Sequence, residues 1–214
     1  MANNDVENIT AIATLGLGEA GTAITTGLAE VWRKDHPARR ILSVDIGLGD
    51  NLRGAAINER ARQIGVEIEG SYTSKLADAG AVFCVVTGVE AKNAALAARE
   101  VLKPGTLFFD VNTLTGPQTA AIAEEMYKAG IDYVDFAAMG GFATSGHKVP
   151  FVVSGPAGER IPETLRFQCR DHERSRGRRV CRQDHPFGHG EGDGGVGRRM
   201  HGRGASRRAG GRSA

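Results

Sequence analysis

The sequence predicts a doubly wound α/β fold, a parallel sheet with helices on both faces. Three observations predict it. Short apolar runs alternate with stretches of helical period from residue 9 to residue 165. Two of the runs, 81–86 (AVFCVV) and 106–111 (TLFFDV), are almost wholly apolar, as strands covered on both faces are. The first run ends in a glycine-rich turn that opens directly into a helical pattern.

The elements follow in order. Residues 9–15 read as the first strand and 19–32 as an amphipathic helix. Residues 40–45 (RILSVD) are the second strand, 51–65 a helix and 66–70 a short third strand. Residues 81–86 are the fourth strand. The helix over 91–102 stops at Lys103-Pro104-Gly105. Residues 106–111 form the next strand, and 117–128 a helix closed by Gly130. Strands at 133–138 and 149–154 follow, and 156–165 begins a further helix. Such βαβ alternation calls for right-handed crossovers.

The glycine-rich turn is Gly16-Leu17-Gly18-Glu19-Ala20-Gly21, a G-x-G-x-x-G between a strand and a helix. Gly16 permits the tight turn, Gly18 lets backbone approach a pyrophosphate, and Gly21 lets the helix pack closely on the strand. The helix N-terminus offers free N–H groups to the phosphates. Asp45 ends the second strand 24 positions past Gly21, near the separation expected of the acid that binds the adenosine ribose. The pattern predicts a dinucleotide site. A glycine-rich turn in another α/β protein, such as a methyltransferase, is the competing reading. Asp45 accepts from both ribose hydroxyls and favours NAD. Arg53 stands eight residues on and could pair with the 2′-phosphate of NADP instead. Ligands of open α/β sheets bind outside the carboxyl ends of strands, which places Val86 and Thr87 against the cofactor. Cys84, inside that strand, reads as a core residue.

Three segments together resemble the β-hydroxyacid dehydrogenase family, which includes 6-phosphogluconate and 3-hydroxyisobutyrate dehydrogenases. The first is the glycine turn. The second is Asp110-Val111-Asn112-Thr113-Leu114-Thr115-Gly116-Pro117. The third is Tyr133 to Gly141, followed by Gly146-His147-Lys148 and by Phe151 to Gly155. The match covers residues 9–166, about three quarters of the chain. It implies a Rossmann-type NAD(P)-binding domain and a hydride transfer between a small hydroxy acid and the nicotinamide. It also implies that an intact member is a homodimer. Asn112 and Thr113 would lie near the nicotinamide and substrate. Met139, Gly140 and Gly141 would line the substrate site, the two glycines giving backbone N–H donors to a carboxylate. The chain departs from the pattern at Met139, usually Ser, and at Ala137, usually Pro. His147 and Lys148 replace small or apolar residues. His147 reads as a non-catalytic histidine and Lys148 as a loop or pocket-rim charge.

The family's catalytic lysine comes from a second, all-helical part, near residues 175–190 here. That stretch contains no lysine and no helical period, so no catalytic residue is assigned. Composition breaks at the same place. Residues 168–214 contain twelve Arg and eleven Gly against five acidic residues, a charge of +7. They lack Lys, Leu, Ile, Tyr and Trp, and the rest of the chain sums to −5. The expected division is a cofactor domain over 1–166 and a disordered Arg/Gly-rich tail over 167–214. Read one nucleotide out of frame, Gln183 can encode only Lys or Arg, and His185 only Ile or Thr. A frame shift near codon 167 would restore both a helix and a lysine, so the tail is expected to be out of frame. A genuine RNA-binding Arg/Gly tail would need aromatic or repeated RGG spacing, and only Phe187 and one Gly-Arg-Gly occur.

Composition bounds the rest. Hydrophobic residues make up 41% of the 214, enough for a core. Three cysteines exclude a disulfide framework and a four-cysteine zinc site, and no metal is expected. No apolar run reaches membrane-spanning length, and the polar, acidic start is unlike a secretory signal. The expectation is a cytoplasmic protein with a small-molecule substrate and no membrane or nucleic-acid partner. As it stands the chain is expected to be inactive. A non-catalytic dinucleotide-binding module is the alternative.

Overall fold

The computed structural model describes residues 9–35, 37–161, 165, 167–171 and 178–183. The strands are β1 (Ala11–Leu15), β2 (Arg40–Val44), β3 (Glu67–Glu69), β4 (Ala81–Cys84), β5 (Leu107–Asp110), β6 (Asp132–Ala138), β7 (Phe151–Ser154), β8 (Phe167–Asp171) and β9 (Arg178–Gln183). Between them lie α1 (Glu19–Asp35), α2 (Gly54–Ile64), α3 (Ala91–Arg99), α4 (Gly116–Lys128) and α5 (Phe142–Ser145).

They form one sheet of order β3-β2-β1-β4-β5-β6-β7-β9-β8. The first six strands in sequence are parallel. β7 runs antiparallel to β6, and β9 and β8 continue antiparallel. The order reverses between β1 and β4, so their carboxyl ends flank the crevice where open sheets take ligands.

Both faces of the sheet are covered, which is why the central strands read as unbroken apolar runs. Phe83, Phe109, Val134 and Phe136 face one core with Ile24, Leu28 and Trp32 of α1. Val82, Cys84, Phe108 and Tyr133 face another with the alanines of α3 and Ile122 and Met126 of α4. The rings of Phe83 and Phe109 stack at 4.6 Å, and those of Phe136 and Phe151 at 4.2 Å. Phe109 meets Phe136 edge-on at 5.3 Å, so the aromatic row crosses four strands and fixes their order. Ala91, Ala94, Ala95 and Ala98 let α3 lie close to the sheet.

The sequence reading and the structure differ at two places. The helix expected over 156–165 is a short 3₁₀ turn, Pro156–Arg160. Gly158 explains the tight approach there: a Cβ on it would stand 2.8 Å from a methyl of Val153. The turn thus packs on β7, while Leu165 is buried in the first core. β8 and β9 lie beyond the compositional break at 167 and extend the sheet. Cys181 on β9 is buried and disulfide-bonded. The remainder of the expected tail, from 184, lies outside the described residues, as do residues 1–8. Among the described residues no helix is long and apolar enough to cross a membrane. No group of metal-ligating side chains occurs among them either.

Candidate functional site

The glycine loop leaves β1 and turns at Gly16, whose φ is +90°. A Cβ there would stand 2.6 Å from the Val85 carbonyl oxygen, so only glycine fits between the ends of β1 and β4. The Gly16 N–H donates to the Val44 carbonyl at 2.7 Å, tying the loop to β2. At Gly21 the first turn of α1 touches the same loop, where a Cβ would stand 2.0 Å from the Gly16 carbonyl oxygen. Above Gly18 there is open space, with no atom within 4 Å of a Cβ. Two residues are thus closed by backbone, and the one between them is open.

Buried hydroxyls brace the loop from beneath. Thr25 donates to the Gly21 carbonyl at 2.6 Å, and its hydroxyl lies 3.1 Å from that of Thr14. Thr14 and Ser43 share a hydrogen bond of 2.7 Å, linking β1 to β2.

Asp45 stands one residue past β2, and its carboxylate faces the loop. One oxygen accepts the Leu17 N–H at 2.8 Å, and the other accepts the Gly47 N–H at 2.9 Å. The second bond caps the 3₁₀ turn Ile46–Gly49. Each oxygen keeps a free lone pair. Leu17 itself is buried against Ile57 and Ala61 of α2. Glu19 is exposed at the start of α1.

A cleft of about 190 Å³ opens beside these groups, bounded by Gly16, Asp45, Ile46, Tyr72, Val86 and Ala94 among others. Ala94 and Ala97 on α3 line it with small side chains. Burial pushes the Tyr72 hydroxyl up to about 12, with the Cys84, Asp45 and Glu90 charges adding to it. Tyr72 is therefore a neutral hydrogen-bonding group in the cleft. Sequence reading missed it, because it enters from the loop after β3 and carries no motif.

The ends of β4, β5 and β6 continue the crevice. Val86 is half-buried and Thr87 exposed. Thr113 is exposed too, and its carbonyl lies 3.1 Å from where a Cβ on Gly88 would stand. Asn112 turns the other way, with 8% of its surface exposed. Its amide donates to Asp110 at 2.7 Å and to the Cys84 sulfur at 3.4 Å. Asp110 also accepts the Asn112 N–H at 3.0 Å and the Tyr133 hydroxyl at 2.7 Å. Burial raises the Asp110 carboxyl above its ordinary range, despite these three donors. Burial pushes the Cys84 thiol up to about 12, which makes it the inert core residue the sequence suggested.

At the end of β6, Met139 is 59% exposed, and Gly140 and Gly141 are exposed. The Met139 N–H donates to the Pro150 carbonyl at 2.8 Å. The Gly140 and Gly141 N–H groups have no partner among the described residues. His147 and Lys148 form a 3₁₀ turn packed on α1, with Lys148 exposed.

Solved structures share this fold. A conserved protein from Sinorhizobium meliloti is 27% identical, matching 77% of this chain and 54% of its own with a TM-score of 0.66. The 3-hydroxyisobutyrate dehydrogenase of Mycobacterium tuberculosis, solved with L-serine, is 21% identical over 74% of this chain and 52% of its own, TM-score 0.60. An imine reductase from Myxococcus stipitatus, solved with NADP+, is 14% identical over 72% and 52%, TM-score 0.55. The fold is that of the 3-hydroxyacid dehydrogenases. The chain spans about half the length of these structures. No protein-family model matches it, and no curated protein matches it by sequence.

Proposed function

We propose that this chain binds a nicotinamide adenine dinucleotide in the cleft at the ends of β1 and β4. We further propose that it is of the hydroxyacid-dehydrogenase type. The observation that carries the reading is the loop itself. Gly16 and Gly21 are closed by backbone, Gly18 is open, and Asp45 grips the Leu17 peptide at the cleft mouth. The loop N–H groups from Gly18 to Gly21, unlike those of Gly16 and Leu17, are left to take the pyrophosphate. Asp45 accepts the ribose hydroxyls on its free lone pairs, which favours NAD over NADP. Val86 and Thr87 line the cofactor, and Thr113 faces the nicotinamide side. The free N–H groups of Gly140 and Gly141, beside Met139, take a substrate carboxylate. Asn112 supports that end of the site from below. When bound, the dinucleotide supplies the hydride acceptor or donor for a small hydroxy acid. The L-serine of the mycobacterial neighbour and the NADP+ of the imine reductase support this ligand class.

Turnover is a separate matter. The stretch that would supply the family's lysine contains none, so the sequence as it stands binds without catalysing. Residues 1–166 form the binding unit, and 167–214 are the out-of-frame remainder of a cytoplasmic, homodimeric enzyme.

The test is an NADH fluorescence titration of the chain, with assays of 3-hydroxyisobutyrate and L-serine oxidation by NAD+ and NADP+. Saturable NADH binding without turnover is expected. A folded chain that leaves NADH fluorescence unchanged refutes the binding site. Measurable oxidation refutes the inactivity.

A further inference from the structure

Asp110 is a buried carboxylate at the end of β5 that the dinucleotide site does not use. The strand register sets it in a polar row. Cys84 lies opposite Asp110, Asp110 opposite Asp135, and Asp135 opposite Ser154. One oxygen of Asp110, Oδ1, accepts both the Asn112 backbone N–H at 3.0 Å and the Asn112 carboxamide Nδ2 at 2.7 Å. The other, Oδ2, accepts the Tyr133 hydroxyl at 2.7 Å. Nδ2 of Asn112 gives its second hydrogen to the Cys84 sulfur at 3.4 Å. A carboxamide carries its nitrogen and oxygen on opposite sides, so the Asn112 oxygen points away from Asp110. That oxygen is buried and has no partner among the described residues. Both donors of the amide are spent, and both its lone pairs are unused.

The groups that face Asp110 are few. Cys84 comes from β4, and Tyr133 and Asp135 from β6. Asp135 is held by the Ser154 hydroxyl at 2.9 Å. Helices α3 and α4 present only alanines, Ile122 and Met126 to this core. Burial raises the Asp110 carboxyl, the Asp135 charge adds to it, and no cation among the described residues opposes them.

A proton arriving at Asp110 has two places to go. On Oδ2 it would point at the Tyr133 oxygen, and the Tyr133 hydroxyl hydrogen would lose the one acceptor it has among the described residues. A buried donor stranded in this way is costly. On Oδ1 it would meet Nδ2, donor against donor, unless the carboxamide turns over. Turned over, the Asn112 oxygen accepts from the Asp110 hydroxyl and from the Cys84 thiol, which burial keeps protonated. Tyr133 keeps Oδ2, and the Asn112 N–H keeps a lone pair on Oδ1. While Asp110 is ionised the same turn would set two acceptors face to face. The two orientations therefore belong to the two charge states. Each leaves one end of the amide unpaired, the oxygen in the first and the nitrogen in the second.

We propose that Asp110 and Asn112 form a proton switch in the floor of the crevice. One proton taken from solvent onto Asp110 Oδ1 turns the Asn112 carboxamide over, and the group that Asn112 presents away from Asp110 changes from acceptor to donor. The change occurs directly before Thr113, the residue exposed in the crevice.

NMR of the full chain, labelled with ¹³C and ¹⁵N and titrated from about pH 8 to about pH 4, reads both halves of the switch. The Asp110 carboxyl carbon should titrate with a midpoint above the ordinary value of about 4. The cross-peak between the Asn112 Nδ2 hydrogens and the Cys84 β-hydrogens, present at high pH, should be lost with the same midpoint. In Asp110→Asn a carboxamide oxygen keeps the acceptor's place at all pH values, and the cross-peak should persist throughout. If that variant does not fold, the wild-type titration decides alone. An Asp110 that titrates while the cross-peak stays puts the proton on Oδ2 and overturns the switch. An Asp110 that remains ionised until the chain unfolds overturns it as well, and so does a cross-peak lost at low pH in Asp110→Asn.

Discussion

Replacing Gly21 with alanine sets two known effects against each other. Alanine is the better helix former by about 1 kcal/mol, so propensity alone favours the variant. Against it stands the Gly16 carbonyl oxygen, 2.0 Å from the new Cβ. Relief requires the two backbones to part by about 1 Å, a large shift in a close-packed interior. The loop cannot give way, because Gly16 is pinned by its bond to Val44 and by the Val85 carbonyl behind it. Helix α1 must move instead. Its inner face carries Ile24, Leu28, Val31 and Trp32, all nearly or wholly buried. Overpacking of this kind costs about 1–3 kcal/mol. The balance is a loss centred on about 1 kcal/mol, or about 2–4 °C in melting temperature for a chain of this size. Gly18→Ala is the matched control. Its Cβ meets nothing, so stability should hold within about 0.5 kcal/mol while NADH binding falls. Thermal melts followed by circular dichroism, with NADH titration of both variants, measure this. A Gly21→Ala chain that melts at or above the wild-type temperature refutes the packing argument. A Gly18→Ala chain that binds NADH normally refutes the ligand assignment alone.

Asp110 gives a pH signature. Burial raises its folded pKa, so the ionised form is the strained one. That strain is fully present above the folded pKa and is relieved as pH falls through it, reaching full relief below the unfolded value of about 4. Asp110→Asn keeps an acceptor for Asn112 and an amide for the Tyr133 hydroxyl without the charge. The variant's melting temperature minus the wild-type value should therefore decrease as pH falls from neutral toward about 4, and a pH-independent difference counts against a strained Asp110. The gene supplies another check. The second frame across codons 155–214 should be open past the stop and carry lysine or arginine at codon 183, whereas stop codons in that frame would make the Arg/Gly segment genuine.

The sheet was legible because its central strands are covered on both faces, which leaves unbroken apolar runs such as LFF in β5. The Gly16–Gly21 turn and Asp45 were legible because their spacing follows from one strand-turn-helix-strand unit. Tyr72 was not, since its place in the cleft depends on how the loop after β3 folds back toward β4. The turn at 156–160 reads as a helix start from Pro156, and its 3₁₀ form, with Gly158 packed against Val153, follows from a contact with β7 that spacing does not show.

Asn112 shows most plainly what spacing alone leaves undecided. By position it belongs to a segment expected at the substrate, yet its carboxamide points into the sheet end. The cause lies in two residues far away in sequence, Cys84 and Tyr133, which with Asp110 form a polar cluster beneath the crevice. The carboxamide oxygen has no partner among the described residues although it is buried. Exchanging the amide's nitrogen and oxygen would satisfy neither, because two acceptors, at Asp110 and Asn112, would then face each other. An oxygen left without a partner in this way costs about 1–3 kcal/mol. Three donors converging on one buried carboxylate compensate for it. They hold the backbone after β5 in a fixed turn, and that turn leaves Thr113, the next residue, as the group exposed to whatever occupies the crevice.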